Sequence, residues 1–222
     1  MPPDSSSTRD RIVDAAMELF AYQGYGPTGL AEIAKAAGAQ PGSLYHFFPT
    51  KEDLLAAVLE RRKRLLWPEV LTPIWDRIDD PLERVFGLLD GYRKMLQVTE
   101  FAHGCPIGNL VLELTESHPN SRRLLAENFD NWLRAVAQCF RDAAGRLPPD
   151  TDADGLATFV LTTMEGAVML ARTYRDFRAY DAAIGSLRDY LTRLIQSETD
   201  WKAPRRGAAS LRAGVQRRTG RG

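Results

Sequence analysis

The chain has 222 residues, 44% of them hydrophobic, and its 29 basic side chains balance 29 acidic ones. This composition is sufficient for a folded core of one or two domains. We find no apolar run of the ~18 residues that a membrane span needs, and no signal-peptide h-region, so we expect a cytoplasmic protein without membrane contact. Two cysteines predict reduced thiols rather than a disulfide framework.

The charge is unevenly distributed along the chain. Residues 202–222 carry seven basic side chains and no acidic one, which leaves 22 basic residues against 29 acidic ones in the rest. Low hydrophobicity predicts that residues 1–7 and the basic tail 201–222 are disordered. The tail could add non-specific attraction to phosphate.

Helical periodicity governs the first part of the chain. A buried stripe predicts helix 1 from about Thr8 to Gln23, and Gly24 is a suitable stop. Thr28 is the predicted N-cap of helix 2, which Gly38 ends. Apolar residues of helix 2 recur at i, i+3, i+4 and i+7, namely Leu30, Ile33, Ala34 and Ala37.

A second short helix follows, because Pro41 suits a first helical turn. Leu44 and Phe48 point inward. The residues predicted to face outward are Gln40, Gly42, Ser43, Tyr45 and His46. This is the pattern of a helix-turn-helix whose second helix enters a DNA major groove. Tyr45 could instead pack against the small core.

Helix 4 is predicted from the N-cap Thr50 to about Leu66, where Pro68 and Pro73 interrupt it. We interpret the basic run 61–64 as a solvated helix end rather than a nucleic-acid-binding patch. Further helices are predicted near 81–99, 105–117, 120–145, 152–177 and 180–198. The chain lacks sustained β-type alternation, so we predict an all-α fold with a DNA-binding domain at 8–66 and a second helical domain at 67–200.

Residues from Thr8 to Leu59 resemble the tetracycline-repressor (TetR) family of bacterial regulators. The similarity rests on many positions at fixed spacing, including Gly24-Tyr25, Ala37-Gly38, the run 42–48 and 51–54. The resemblance implies a homodimer whose N-terminal helices bind a palindromic operator in double-stranded DNA. It also implies a C-terminal domain for dimerisation and for a small-molecule effector, and hence most often a repressor that the effector releases.

The resemblance also assigns contacts to individual residues. Thr28 would meet a phosphate at the start of helix 2, and Lys51 would hold a phosphate at the start of helix 4. Facing the groove or the phosphates would be Gln40, Pro41, Gly42, Ser43, Tyr45 and His46. Gly29 stands where the family often has a hydroxyl residue, so one phosphate contact is absent.

Candidate ligand-binding residues lie in the second domain. Cys105, Asn109 and Glu113 share one helical face, and Glu165 lies in a mainly apolar helix. The face formed by Cys105, Asn109 and Glu113 lines either a ligand pocket or the solvent-exposed surface. Aromatic candidates for the pocket wall are Phe86, Tyr92, Phe129 and Trp132. The apolar surface of the last two helices predicts a two-fold interface.

Cys105 supports an alternative function. The sequence predicts it at a helix N-terminus, where a thiolate is favoured, and some TetR-like regulators sense electrophiles with a cysteine in a similar element. The plainer interpretation is a buried cysteine that packs against the next helix. A small helical enzyme is a remote third hypothesis, because we find no catalytic constellation, metal spacing or phosphate loop. We therefore expect no cofactor and no metal.

Overall fold

The computed structural model describes residues 7–114 and 118–196. Most of the predicted N-terminal disordered segment and the whole basic tail lie outside these ranges. Within them all regular structure is helical, which confirms the all-α prediction. The α-helices are α1 (Thr8–Gln23), α2 (Leu30–Ala36), α3 (Pro41–Phe47), α4 (Lys51–Leu65), α5 (Thr72–Trp75), α6 (Pro81–Val98), α7 (Pro106–Glu113), α8 (Pro119–Asp142), α9 (Ala153–Tyr174) and α10 (Arg178–Gln196).

Local capping signals set several of these boundaries. The Thr50 side chain accepts a hydrogen bond from Asp53 N, and the Asp53 side chain accepts one from Thr50 N, so α4 begins with a capping box. Gly24 and Gly38 follow α1 and α2 with φ of 94° and 58°, values that favour glycine. The predicted bounds of helix 1 are confirmed at both ends.

The predicted N-cap of α2 is wrong. Gly29 occupies the cap position, and no side chain caps the helix. Thr28 is only 1% exposed, and its hydroxyl donates a 2.6 Å hydrogen bond to the carbonyl oxygen of Gly24. Its hydroxyl therefore closes the loop between α1 and α2 instead of capping the next helix.

The predicted end of helix 4 near Leu66 is confirmed, because α4 ends at Leu65, but the chain does not leave its helical path there. After α4 the chain continues as a π-helical segment, Leu66–Leu71, and passes directly into α5. A π-helix hydrogen-bonds from i to i+5, so its wider turn accommodates a residue such as Pro68 that lacks an N–H. Pro73 lies in the first turn of α5, where its missing donor costs little.

The last predicted break lies near Asp181, but the structure turns earlier. Arg175 ends α9 in the left-handed conformation with φ of 54°, and α10 begins at Arg178. By length and composition α9 could cross a membrane, a property that the core helix of a soluble protein shares. The expected lack of membrane contact stays a prediction.

The buried core forms two clusters, and the boundary predicted at Leu66 does not separate them. One cluster unites the buried faces of α1 to α4 with α7 and the first turns of α8. The second cluster joins α6, the rest of α8, α9 and α10. The side-chain amide of Asn128 on α8, itself buried, donates to the carbonyl oxygen of Leu59 on α4 at 3.1 Å. The N-terminal unit therefore shares its core with the second domain.

Candidate DNA-binding and ligand-binding sites

The N-terminal part of α3 forms an exposed polar surface. Leu44 and Phe48 are 1% and 3% exposed and fix this short helix against α1 and α2, as predicted. Tyr45 is 56% exposed, so its ring does not pack on the core. Ser43 is half-buried, whereas the other outward positions are open to solvent: Gln40, Pro41, Gly42 and His46.

Two of the predicted DNA contacts have other partners. The hydroxyl of Thr28 is buried and hydrogen-bonded within its own loop, so it is not presented to a phosphate. The Lys51 ammonium donates to the carbonyl oxygens of Tyr25 and Gly26 and lies 4.3 Å from the centre of the Tyr25 ring. Partial burial lowers the pKa of Lys51. In this geometry Lys51 stabilises the α1–α2 loop, and its phosphate contact stays a prediction.

The basic run at the end of α4 is structural. Arg61 pairs with Asp14 on α1 at 2.6 Å. Lys63 pairs with Glu127 on α8 at 2.8 Å. These ion pairs hold α4 between α1 and α8, so the run is neither a nucleic-acid patch nor simply a solvated helix end.

Three adjoining cavities lie among the helices of the second domain, and α1 and α4 also line two of them. A central cavity of about 130 Å³ shares Cys105, Phe129 and Glu165 with a neighbour of about 790 Å³. On its other side it shares Arg62 and Tyr92 with a cavity of about 380 Å³. Six of the predicted ligand-binding residues line this system, namely Tyr92, Cys105, Asn109, Phe129, Trp132 and Glu165.

The central cavity holds polar groups that lack partners. The Oε1 atom of Glu165 and the Nε1 atom of Trp132 are buried without a hydrogen-bond partner, although the indole lies near the Tyr92 hydroxyl. Burial raises the pKa of the Glu165 carboxyl group and raises that of Tyr92 well above its usual value. Unpaired buried groups are costly, so a ligand that pairs with them gains affinity.

Gly108 allows Glu165 to reach α7. A Cβ atom at this position would overlap Glu165 Oε2. The absence of a side chain therefore lets the carboxyl group of α9 lie against the first turn of α7, beside Cys105. The sequence gives no signal of this pairing, because the two residues are 57 positions apart.

Arginine residues that sequence analysis missed also line the cavities. Arg172 donates to Asn109 Oδ1 at 2.8 Å and to the carbonyl oxygen of Ala102 at 3.2 Å. Arg62 donates to the carbonyl oxygen of Met17 at 3.1 Å. The sequence does not predict that these arginines line a cavity, because an arginine on a helix is usually exposed to solvent.

Two predicted ligand-binding residues lie elsewhere. Phe86 is 4% exposed in the second core cluster, with the Arg188 guanidinium 3.7 Å from its ring centre, and it lines none of the three cavities. Glu113 lies at the far end of α7, where its Oε2 accepts a 2.8 Å hydrogen bond from the Gly26 amide. It contacts the DNA-binding unit because α7 runs from the cavity to the α1–α2 loop.

Cys105 is the N-cap of α7, as predicted, and its sulfur accepts a 3.4 Å hydrogen bond from Gly108 N. The expected thiolate is not favoured here. Cys105 is 5% exposed, and burial together with the nearby Glu165 charge raises the pKa of the thiol. Cys139 is buried too, as predicted, and burial raises its pKa to about 11.

We expect slow thiol alkylation in the folded protein. Both thiols stay protonated near neutral pH, and the thiolate is the nucleophile, so a maleimide at about pH 7.5 should label folded protein at least ~10-fold more slowly than unfolded protein. Mass spectrometry over time measures this rate, and Cys105→Ser assigns any fast site. Rapid labelling that disappears in Cys105→Ser would contradict this expectation and favour the thiol-sensing alternative.

Within residues 7–114 and 118–196 no group of three His, Cys, Asp or Glu side chains could hold a metal ion. The expectation that the protein needs neither a metal nor a cofactor stays a prediction.

Comparison with known proteins covers both halves of the chain. Residues 12–58 match the family described as "Bacterial regulatory proteins, tetR family", and residues 81–187 match "Tetracyclin repressor-like, C-terminal domain". An uncharacterized HTH-type transcriptional regulator of Mycobacterium tuberculosis is 32% identical over 82% of this chain and 93% of its own length. The HTH-type transcriptional repressor DhaR of a Mycobacterium species is 26% identical over 78% of this chain and 86% of its own length.

A solved structure shows the same architecture. The regulatory protein TetR from Rhodobacter sphaeroides superimposes with a TM-score of 0.72 at 28% identity, over 85% of this chain and 98% of that one. Both the helix-turn-helix unit and the helical second domain therefore have counterparts in known regulators.

Proposed function

We propose that this chain, which belongs to the tetR family of bacterial transcriptional regulators, is a repressor that a small molecule releases from its operator. As a DNA-binding regulator it acts on double-stranded DNA, and we place that action in the cytoplasm. The observation that carries the proposal is the exposed start of α3, held rigidly by buried Leu44 and Phe48. Repression is further supported by the relative that is named a repressor.

The groove contacts that we propose come from this exposed surface. Gln40 can pair bidentately with adenine, and Ser43 can hydrogen-bond to bases or phosphates. Tyr45 and His46 extend the same surface toward the duplex. Gly42 has no side chain, so the start of α3 stays narrow, and the position of its missing Cβ is open, with nothing within 4 Å.

We propose that two copies pair through α9 and α10. Most apolar residues of these helices are buried within one chain. A smaller apolar set stays exposed and supports pairing: Phe159, Met169, Leu170, Tyr174 and Tyr190. Nothing lies within 4 Å of a Cβ at Gly166, so a second helix could approach closely there. A two-fold pair would place the α3 helices ~34–36 Å apart, in successive major grooves.

The cavity system is the proposed effector site. It lies between α7, which contacts the DNA-binding unit through Glu113, and α9, which carries the proposed interface. An effector that binds one arrangement of these helices better would shift the dimer away from the spacing that fits DNA.

An electrophoretic mobility shift tests the proposal. Palindromic DNA from beside the gene should be retarded, with an affinity at least ~1,000-fold above that for scrambled DNA of equal length at the same salt concentration. Size-exclusion chromatography with light scattering should give the mass of a dimer. Absence of any shift at low salt, or a stable monomer, would contradict the proposal.

A further inference from the structure

The central cavity contains a carboxyl group without a cationic partner. Glu165 on α9 forms no ion pair with any residue in the described ranges. Its carboxyl group hydrogen-bonds to the Cys105 side chain, but its Oε1 atom has no hydrogen-bond partner. Three arginines line the cavities, but all three guanidinium groups are hydrogen-bonded to other atoms, and Arg175 donates to the carbonyl oxygen of Glu100. Arg62 donates to Met17 O, and Arg172 donates to Asn109 and Ala102. The Oε1 atom of Glu165 is therefore available to a ligand, and a cationic ligand would stabilise the ionised form of the carboxyl group.

Aromatic rings form much of the wall around this carboxyl group. Tyr92, Phe129 and Trp132 line the same cavity of about 130 Å³. This volume is close to the roughly 150 Å³ of an engineered apolar cavity that binds benzene. Aromatic faces attract cations and also stack on flat rings, so the wall suits a single aromatic ring that carries a positive charge.

A second polar atom specifies the other end of the ligand. The indole of Trp132 is 5% exposed, and its Nε1 atom lacks an acceptor. An indole N–H only donates, so the ligand must offer an oxygen or nitrogen acceptor there. Among the unpartnered buried side-chain atoms of the described residues, the cavity thus presents an acceptor, at Glu165, and a donor, at Trp132.

We propose that the effector is a small aromatic amine, whose ammonium group donates to Glu165 and whose ring carries an acceptor for Trp132. The inference rests on the proposed function only in taking this cavity as the effector site. A carboxylate of the same shape would bring two negative charges together, and this repulsion disfavours it. A neutral alcohol would keep one hydrogen bond without the charge, and its affinity should be intermediate.

Isothermal titration calorimetry with three matched probes tests this. The probes are 4-hydroxybenzylamine, 4-hydroxybenzyl alcohol and 4-hydroxybenzoate, which differ only in the group that faces Glu165. We expect the amine to bind about 10-fold or more tightly than the alcohol, because charge-assisted hydrogen bonds are stronger, and the benzoate to bind weakest. Glu165→Gln should lower the amine affinity by a similar factor and remove the preference for the amine.

Glu83→Gln is the matched control, because Glu83 is exposed, pairs with Arg188 and lines none of the three cavities. It should leave the order of the probes unchanged. If Glu165→Gln does not fold, the order of the three probes on the unmodified protein still decides the matter. Benzoate binding as tight as amine binding, no binding of any probe, or an unchanged amine affinity in Glu165→Gln would each overturn the proposal.

A parallel mobility shift separates this inference from the proposed function. If the chain shifts its operator but binds no amine, the repressor function stands and the effector class is wrong. If the chain binds the amine but shifts no DNA, the effector class stands and the repressor function is wrong.

Discussion

Replacing Tyr45 and His46 together by alanine should weaken operator binding by about 30-fold or more, because each base or phosphate contact contributes ~1–3 kcal/mol. Both side chains are exposed on α3, and the buried Leu44 on the same helix keeps α3 packed against the core. The free energy of unfolding should change little, since neither residue belongs to the core. Fluorescence anisotropy with labelled operator, at one fixed salt concentration, measures the effect.

Tyr22→Ala is the matched control for this double substitution. Tyr22 is 63% exposed on α1, and its ring contacts His103 with centroids 5.7 Å apart, at the junction with the second domain. We expect the operator affinity of this variant to lie within about 3-fold of that of the unmodified protein, because Tyr22 is a surface residue outside the proposed DNA-contacting set. Equal losses in the control and in the double variant would mean that α3 does not read the operator.

The second large effect concerns Glu113. Its carboxylate accepts a hydrogen bond from Gly26 N, and it lies so close to Gly24 that a Cβ there would be 2.6 Å from Glu113 Oε1. Lys51 binds the same loop through the carbonyl oxygens of Tyr25 and Gly26. The loop between α1 and α2 is thus held from both domains, and α7 connects it to the cavity.

Glu113→Ala should uncouple the cavity from the DNA-binding unit. Allosteric coupling is typically worth ~1–3 kcal/mol, so we expect the factor by which an effector weakens operator binding to fall at least ~5-fold. Anisotropy titrations with and without saturating effector measure that factor. Hydrogen exchange of the Gly26 amide gives a readout that needs no effector, and the amide should exchange faster once its acceptor is gone.

Two controls make the second result specific. Glu113→Gln retains an acceptor oxygen and should keep most of the coupling and of the Gly26 protection. Glu83→Ala removes a glutamate that pairs with Arg188 at 2.7 Å within the second domain, and it should leave both readouts unchanged. Unaltered exchange at Gly26 in Glu113→Ala would show that this hydrogen bond does not hold the loop.

Short-range signals were sufficient to predict much of the fold. The stripe of helix 1, the N-cap at Thr50 and the inward-facing pair Leu44 and Phe48 depend on neighbours within one or two turns, and each is confirmed. Local patterns misled where two options were nearly equivalent. Thr28 and Gly29 are both acceptable N-cap residues, and the hydroxyl of Thr28 bonded to the preceding loop instead.

The candidate ligand site shows why periodicity has limits. Cys105, Asn109 and Glu113 do share one face of α7, but the helix spans from the cavity to the DNA-binding unit, so its two ends face different surroundings. Lys51 was assigned by resemblance to a phosphate, yet loop carbonyls 25 and 26 positions earlier in the chain bind its ammonium. Such partners depend on tertiary packing, which one sequence does not encode in any local pattern.

The shared N-terminal core limits how this regulator can be re-engineered. Ile107 and Leu110 on α7, with Leu124 and Leu125 on α8, are buried against the same cluster as Leu54 and Val58 of α4. A fragment cut after Leu66 would expose that apolar side of α4 to water. The DNA-binding unit therefore cannot be transferred alone to another protein. A chimeric repressor with new operator specificity must take α7 and the first turns of α8 from the same parent as this unit.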